Sequence, residues 1–245
     1  MQLIIIMLVI LLTNRVAYST EIKIVTEHYP PFQIVENGQV VGGLAVDIVN
    51  DLLSKVNLET NIVAYPWPRA YKMALEEKNV LIFSITRTEE RESKFKWVGS
   101  IIGVNDYLWR LKSNESVNVR SLDEAKKYTM AVPKDDQQHH FIRKNGFSNV
   151  YVTSNFDSAL KMLYANHVDL VMGPESSIYY RLKELSLDYS ALEKAYDLGQ
   201  KWGELSIAFS VNTSDEVVKK FQDVFQEMKN DGTCDKLILK WVPNT

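Results

Sequence analysis

The stretch Val80-Leu-Ile-Phe-Ser-Ile-Thr-Arg-Thr-Glu-Glu-Arg91 decides the fold. Val80 to Ile85 is almost wholly apolar and only six residues long, too short for a buried helix and apolar enough to be a strand covered on both faces. Working outward, Trp67 to Glu76 reads as a helix and Thr60 to Tyr65 as a strand. Leu44, Ile48 and Leu52, with Val49, Leu53 and Val56, recur at spacings of three and four, which predicts an amphipathic helix. Glu21 to Thr26 is a short β-branched strand. The order β-α-β-α-β predicts an α/β architecture with a sheet that is parallel at its centre.

The same alternation resumes beyond the polar segment Lys112 to Asn118. Thr129 to Val132, Val150 to Val152 and Val168 to Met172 read as strands, and Phe156, Ala159, Leu160, Leu163 and Tyr164 as one helix face. A strand at Leu205 to Ser210 follows. A last helix, opened by the capping box Thr213-x-x-Glu216 and stopped at Gly232, carries Val217, Phe221, Phe225 and Met228 on one side. Two α/β lobes are therefore expected, the first discontinuous. It takes residues 20–107 plus 198–245, and the second takes residues 108–197.

The 245 residues are 46% hydrophobic and 24% charged, a globular mixture, and the formal net charge of −3 offers no basic excess for a nucleic-acid partner. Leu3 to Leu12 is an unbroken apolar run, too short to span a bilayer, and Ala17 and Ser19 follow it. Residues 1–19 are read as a removed secretory signal peptide, with a retained anchor as the alternative. Arg15 is the one charged side chain lost with it, so the mature chain is slightly more acidic. The single cysteine, Cys234, forms no internal disulfide and is expected to be a small core residue.

Three groups of residues could carry chemistry. Ser84, Thr86, Thr88, Arg87 and Arg91 stand at the C-terminal end of the third strand, where open α/β sheets bind ligands. A guanidinium there can grip a carboxylate through two charge-assisted hydrogen bonds. Spacing alone leaves equal room for pairing with Glu89, Glu90 or Glu92 in solvent, and Arg87 is the better solvent candidate. The aromatic residues Tyr29, Phe32, Trp67 and Trp97 either wall a pocket or pack in a core; Trp67, between Pro66 and Pro68, is favoured as a wall. In Lys134-Asp-Asp-Gln-Gln-His-His140, His139 and His140 diverge by about 100° on a helix, which argues against a metal. A helix capped by Asp135 or Asp136, with Gln137 or Gln138 facing a cleft, is expected instead. No nucleophile elbow, phosphate loop or Cys-x-x-Cys pair supports an enzyme, and no metal or cofactor is expected.

Four motifs in order along the chain carry a resemblance: Tyr29-Pro-Pro-Phe32, Gly43-Leu-Ala-Val-Asp47-Ile48, Thr86-x-Thr-Glu-Glu-Arg91 and Asp231-Gly-Thr-Cys-Asp-Lys-Leu-Ile-Leu-Lys-Trp241. The chain resembles the periplasmic solute-binding proteins of family 3, the type II, polar-amino-acid kind that serve ABC importers. The resemblance implies a type II periplasmic-binding-protein fold, two α/β lobes joined by two hinge strands, with a small polar carboxylate ligand in the cleft. It also implies a periplasmic location, a permease partner in the inner membrane and a monomer. A ligand-binding sensor partner or a dehydratase-like enzyme on the same fold are the alternatives.

By the same resemblance Arg91 grips the carboxylate, Thr86 hydrogen-bonds it, the carbonyl of Ser84 meets the amine, and Tyr29 and Phe32 line the cleft. Two departures fall in the second lobe. Gly173-Pro174-Glu175 replaces the usual aspartate for the α-amino group, so Glu175 is expected to substitute, shifted by one position. Pro133 to Gln138 replaces the small-residue loop that meets the carboxylate from this lobe in the family, and Gln137, read above as facing the cleft, is counted among the ligand-binding residues.

Overall fold

The computed structural model describes residues 21–199 and 203–241, so the signal-peptide expectation lies outside the described residues. The chain opens with β1 (Lys23–Thr26), the hairpin β2 (Ile34–Glu36) and β3 (Gln39–Gly42), α1 (Leu44–Lys55), β4 (Ile62–Ala64), α2 (Trp67–Glu76), β5 (Val80–Thr86) and β6 (Phe95–Gly103). It crosses to β7 (Asp106–Leu111), α3 (Leu122–Ala125), β8 (Met130–Pro133), α4 (Gln137–Lys144), β9 (Val150–Thr153), α5 (Phe156–Tyr164), β10 (Leu170–Pro174), α6 (Glu175–Glu184) and β11 (Leu192–Asp197). It then returns to β12 (Glu204–Ser210), α7 (Asp215–Asn230) and α8 (Thr233–Trp241).

These elements build two lobes, each around its own five-stranded sheet. The first runs β4-β1-β5-β12-β6 and the second β11-β7-β10-β8-β9. β5 is buried along its whole length, as its apolar sequence requires. Its sheet is parallel only on the β1 side, however. β12 pairs antiparallel with both β5 and β6, so the expected parallel centre is a mixed one. The reason is topological, because β12 enters from the other lobe and not through a helical crossover.

α1, α7 and α8 cover one face of the first sheet. There Ile48, Leu52, Phe209, Phe221, Phe225 and Cys234 share a core. α2 covers the other face, with Trp67, Tyr71, Phe95 and Trp97. The second sheet is likewise sandwiched, with Trp109, Leu160 and Ile178 on one side and Met130, Ile142 and Met172 on the other. Burying each apolar face against a second layer is what stabilises such lobes.

The last long helix starts one residue later than the capping box suggests. Ser214 is the N-cap, accepting from Val217 N, while Thr213 Oγ1 pairs with Ser210 Oγ beneath it. β6 carries no clean alternation because its pairing with β12 slips at two points, so its inward and outward faces change along the strand.

Two of the sequence motifs serve the fold directly. Gly43 has φ 125°, and a Cβ there would lie 2.4 Å from the carbonyl oxygen of Phe32. That closeness lets Leu44 N and Ala45 N donate to the carbonyls of Pro31 and Phe32, which pins the aromatic loop on the start of α1. Asp47 Oδ2 accepts from Lys240 Nζ at 2.7 Å and from Trp241 Nε1 at 2.8 Å, tying α8 to α1.

Candidate functional site

A cavity of about 310 Å³ lies between the lobes at the C-terminal ends of β1, β5, β8 and β10, which is where parallel strands of α/β sheets leave a crevice. Its wall includes Tyr29, Trp67, Ser84, Thr86, Arg91, Gln137 and Gln138.

Ser84 reaches the cavity through a bulge. The β5–β12 register slips between Ser206 and Ile207, opposite Ser84, which takes φ 56° in the left-handed region. Its hydroxyl accepts a hydrogen bond from Gln33 Nε2. Thr86 ends the strand, and its carbonyl accepts from Arg91 Nη1 at 3.2 Å. Gly203, at the return crossing, has φ 117°, and any Cβ there would meet Thr86 Cγ2 at 2.4 Å.

Arg91 is buried, with 3% of its surface exposed. Its guanidinium packs over the rings of Trp67 and Tyr71, at 5.5 and 5.0 Å from their centroids. Arg87 is the opposite case: it lies half exposed and pairs with Glu92.

The facing wall comes from the second lobe. Asp136 caps α4, accepting from Gln137 N at 2.6 Å, and places Gln137 and Gln138 in the first turn of the helix, both buried. Asp135, in the left-handed conformation with φ 58°, turns its carbonyl toward the first lobe. That carbonyl accepts from Trp67 Nε1 at 2.9 Å and from Arg91 Nη2 at 3.3 Å.

Two residues expected at the ligand are elsewhere. Phe32 is 2% exposed, belongs to the first-lobe core and touches the site only through Tyr29, whose ring is 5.1 Å away. Its position on the pinned loop turns the ring inward. Glu175, the first residue of α6, bonds Tyr189 Oη at 2.6 Å and Lys194 Nζ at 2.7 Å and does not line the cavity. Those two partners also hold its carboxyl below the usual range. Trp97 packs against Phe95 and donates to the Glu92 carbonyl, away from the cleft.

The cavity also gathers charged residues that sequence reading did not single out. Glu27 and His28 follow β1, Asp106 opens β7, Asp157 lies in α5 and Arg181 in α6. Arg181 is 4% exposed. It donates to Asp157 Oδ1 at 2.5 Å and, across the cleft, to the His28 carbonyl at 2.6 Å. The His28 ring accepts from Val35 N through Nδ1, which puts its proton on Nε2, 2.8 Å from Glu184. Farther out, His140 faces Glu90 at 3.4 Å and Lys144 faces Glu89 at 3.9 Å, again lobe to lobe.

Once Arg181 is matched with Asp157, the cavity holds Arg91 against Glu27, Asp106 and Asp136. Three carboxyls in one desolvated space oppose one another's ionisation. Burial, reinforced by Asp136, pushes Glu27 up to about 8. Burial and the same neighbour push Asp106 up to about 7. Asp136 is itself raised by burial, with Arg91 opposing. The site is therefore suited to a small molecule with a negative end for Arg91 and positive charge for the acids.

Two lobes, each on its own five-stranded sheet, with a cavity between them that gathers Arg91 and several carboxyls, are the architecture of a type II periplasmic-binding-protein fold. The chain belongs to the bacterial extracellular solute-binding proteins, family 3, whose family model matches residues 22–244. The amino-acid-binding protein AabA of Dichelobacter nodosus is 23% identical over 166 residues, covering 66% of this chain and 62% of that protein's length. Among solved structures, a histidine kinase sensor domain with similarity to periplasmic binding proteins superposes with a TM-score of 0.81 at 15% identity, covering 91% of this chain and 96% of that one. An ancestral arginine-binding protein bound to arginine gives 0.78 at 22% identity, covering 90% and 97%. The arginine-, lysine-, histidine-binding protein ArtJ of Geobacillus stearothermophilus gives 0.78 at 16%, covering 91% and 96%. The family is one of solute-binding proteins, and among the described residues no helix is long and apolar enough to cross a membrane.

Proposed function

We propose that this chain is an exported, periplasmic receptor that captures a small amino acid or related polar solute between its lobes and delivers it to an ABC importer, as a monomer. The observation that carries this reading is the pairing, in one cavity between the lobes, of a buried and ring-stacked Arg91 with the carboxyls of Glu27, Asp136 and the buried Asp106. Arg91, Thr86 and Ser84 receive the ligand's carboxylate end on the first lobe. Tyr29 and Trp67 flank it, and Gln137 meets it from the second lobe on closure. Cationic charge on the ligand relieves the mutual repulsion of the acids, so a basic amino acid fits better than an acidic one. The amino-acid-binding relative and the arginine-binding neighbours agree in kind.

Closure is a population shift driven by a ligand that touches both lobes. Isothermal titration with the standard L-amino acids tests the reading, with binding of a carboxylate-bearing amino acid expected and abolished in Arg91→Ala. Binding that survives this substitution would remove the carboxylate assignment. A second reading, occupancy reported to a membrane-bound sensor, draws on the sensor-domain likeness. Deletion of the chain from its host would then abolish a signalling response and leave uptake intact.

A further inference from the structure

The two cross-lobe bonds at the Asp135 carbonyl depend on an uncommon backbone conformation. Asp135 has φ 58°, in the left-handed region where an L-residue is strained relative to the right-handed one. Its own N–H is held by a side chain, donating to His139 Nδ1 at 3.1 Å. His139 is the third residue of α4, the helix that Asp136 caps. The contact is a capping box displaced by one residue, in which a first-turn side chain reaches back to a backbone N–H ahead of the helix. His139 thus fixes the peptide before Asp135 and the Asp136 cap fixes the residue after it. Between them the carbonyl is aimed at Trp67 Nε1 and Arg91 Nη2 on the other lobe.

We infer that His139 is a positioning residue for lobe closure: through Nδ1 it holds the Asp135 turn whose carbonyl joins the second lobe to Trp67 and Arg91. His139 does not line the cavity, so its effect runs through closure and not through ligand contact. This rests on the closure step of the reading above and not on the identity of the ligand.

Nδ1 accepts only while the imidazole is neutral, with its proton on Nε2. Protonation sets a donor against a donor and the bond is lost. With the lobes apart, that loss is confined to the second lobe. With the lobes together, it also loosens the two bonds that cross. Closure therefore favours the neutral ring. Around it stand Arg143 and His140 on α4, with Lys134, Asp135 and Asp136 on the preceding loop. From the first lobe, Arg91 reaches the Asp135 carbonyl and Glu90 faces His140. Burial, then Arg143, holds His139 below its usual 6.5, with the two aspartates opposing. The contribution of His139 is thus intact above that value and fades as pH falls below it. Glu27 and Asp106 act in the opposite sense, since burial favours their protonated forms, so His139 is read from the difference between variants.

The test compares unliganded wild type, His139→Phe and His139→Asn by small-angle scattering and by the indole N–H signal of Trp67 in NMR, assigned from its absence in Trp67→Phe. Phenylalanine keeps a flat ring and removes the acceptor. Asparagine offers a carbonyl oxygen close to the place of Nδ1 and does not titrate. At pH 7.5, His139→Phe should lower the closed population about five-fold, as for one net hydrogen bond. The radius of gyration should grow and the indole signal should leave its bonded position; His139→Asn should restore both. From pH 7.5 to 5, wild type should lose closure relative to His139→Asn, a divergence that a purely structural role would not produce. Thermal melts verify folding, and if His139→Phe does not fold, the pH comparison of wild type with His139→Asn decides. A His139→Phe protein that scatters and resonates like wild type, or parallel pH profiles in wild type and His139→Asn, would overturn the inference. No ligand is added, so a failure of every amino acid to bind would sink the receptor reading and leave this result standing.

Discussion

The indole Nε1 of Trp67 donates to the backbone carbonyl of Asp135 at 2.9 Å, a direct bond from one lobe to the other. Arg91 reaches the same oxygen, so a single carbonyl on the second lobe is read by two side chains of the first. Trp67→Phe keeps the ring under Arg91 and removes only that donor. A neutral hydrogen bond contributes about 1 kcal/mol net, so the closed form should lose about five-fold in population without ligand. Small-angle scattering of the unliganded variant should show a larger radius of gyration than wild type, and unchanged scattering would mean that the bond is not part of closure.

Arg91 is buried, stacked on two rings and aimed at two carbonyls as well as the cavity. Loss of one partner from a buried charge pair costs about 2 to 5 kcal/mol. Arg91→Ala should therefore weaken a carboxylate ligand by roughly 30- to several-thousand-fold in titration calorimetry. Arg91→Lys should rescue little, because a lysine lacks the planar fork that serves several acceptors at once.

The acids of the cavity make an unusual pH prediction for the unliganded protein. Glu27 and Asp106 keep their protons to about 8 and about 7 when folded, whereas in the unfolded chain they lose them near pH 4. Between those limits the folded state binds more protons than the unfolded one, so these groups make stability fall as pH rises through that window. Melting temperature measured from pH 5 to 8 should decline, and the decline should flatten in Glu27→Gln. A profile that is equally steep in the variant would show that Glu27 does not titrate this way.

Glu175 is occupied by Tyr189 and Lys194 on the outside of the second lobe. Glu175→Gln should leave ligand affinity within two-fold of wild type, an effect under about 0.4 kcal/mol. A ten-fold loss would bring Glu175 back into the site.

Asp47 holds Lys240 and Trp241 at once. Asp47→Ala removes both acceptor contacts, each worth about 1 kcal/mol, and should lower the melting temperature by a few degrees while leaving binding intact. A variant that loses ligand affinity in parallel would show that α8 reaches the cleft.

Much of the fold can be read from periodicity, since the apolar spacings of α1, α5 and β5 report their own burial. Arg91, Trp67 and Gln137 come to the cavity because prolines, a cap and a strand end leave them few other directions. Asp106 was hidden at the start of a strand whose pairing with β11 slips, and no local pattern marks a carboxylate whose hydrogen-bond partner, Gln138, lies 32 residues further on. Arg181 sits beside Lys183 and Glu184 in a polar helix and reads as a solvent residue; its burial is decided by Asp157 and His28, 24 and 153 residues away. Glu175 fails for the converse reason. One position along a helix start rotates a side chain by about 100°, enough to turn it from the cleft to the outer face.

The placement of β12 between β5 and β6 also sets the order in which the chain can complete itself. Every strand of the second sheet has been synthesised by Asp197, while the first sheet still has a gap at its middle. As the chain emerges, the lobe encoded in the interior can finish first. Until Ser210 arrives, the edges of β5 and β6 that face β12 stay unpaired and open to the wrong strand.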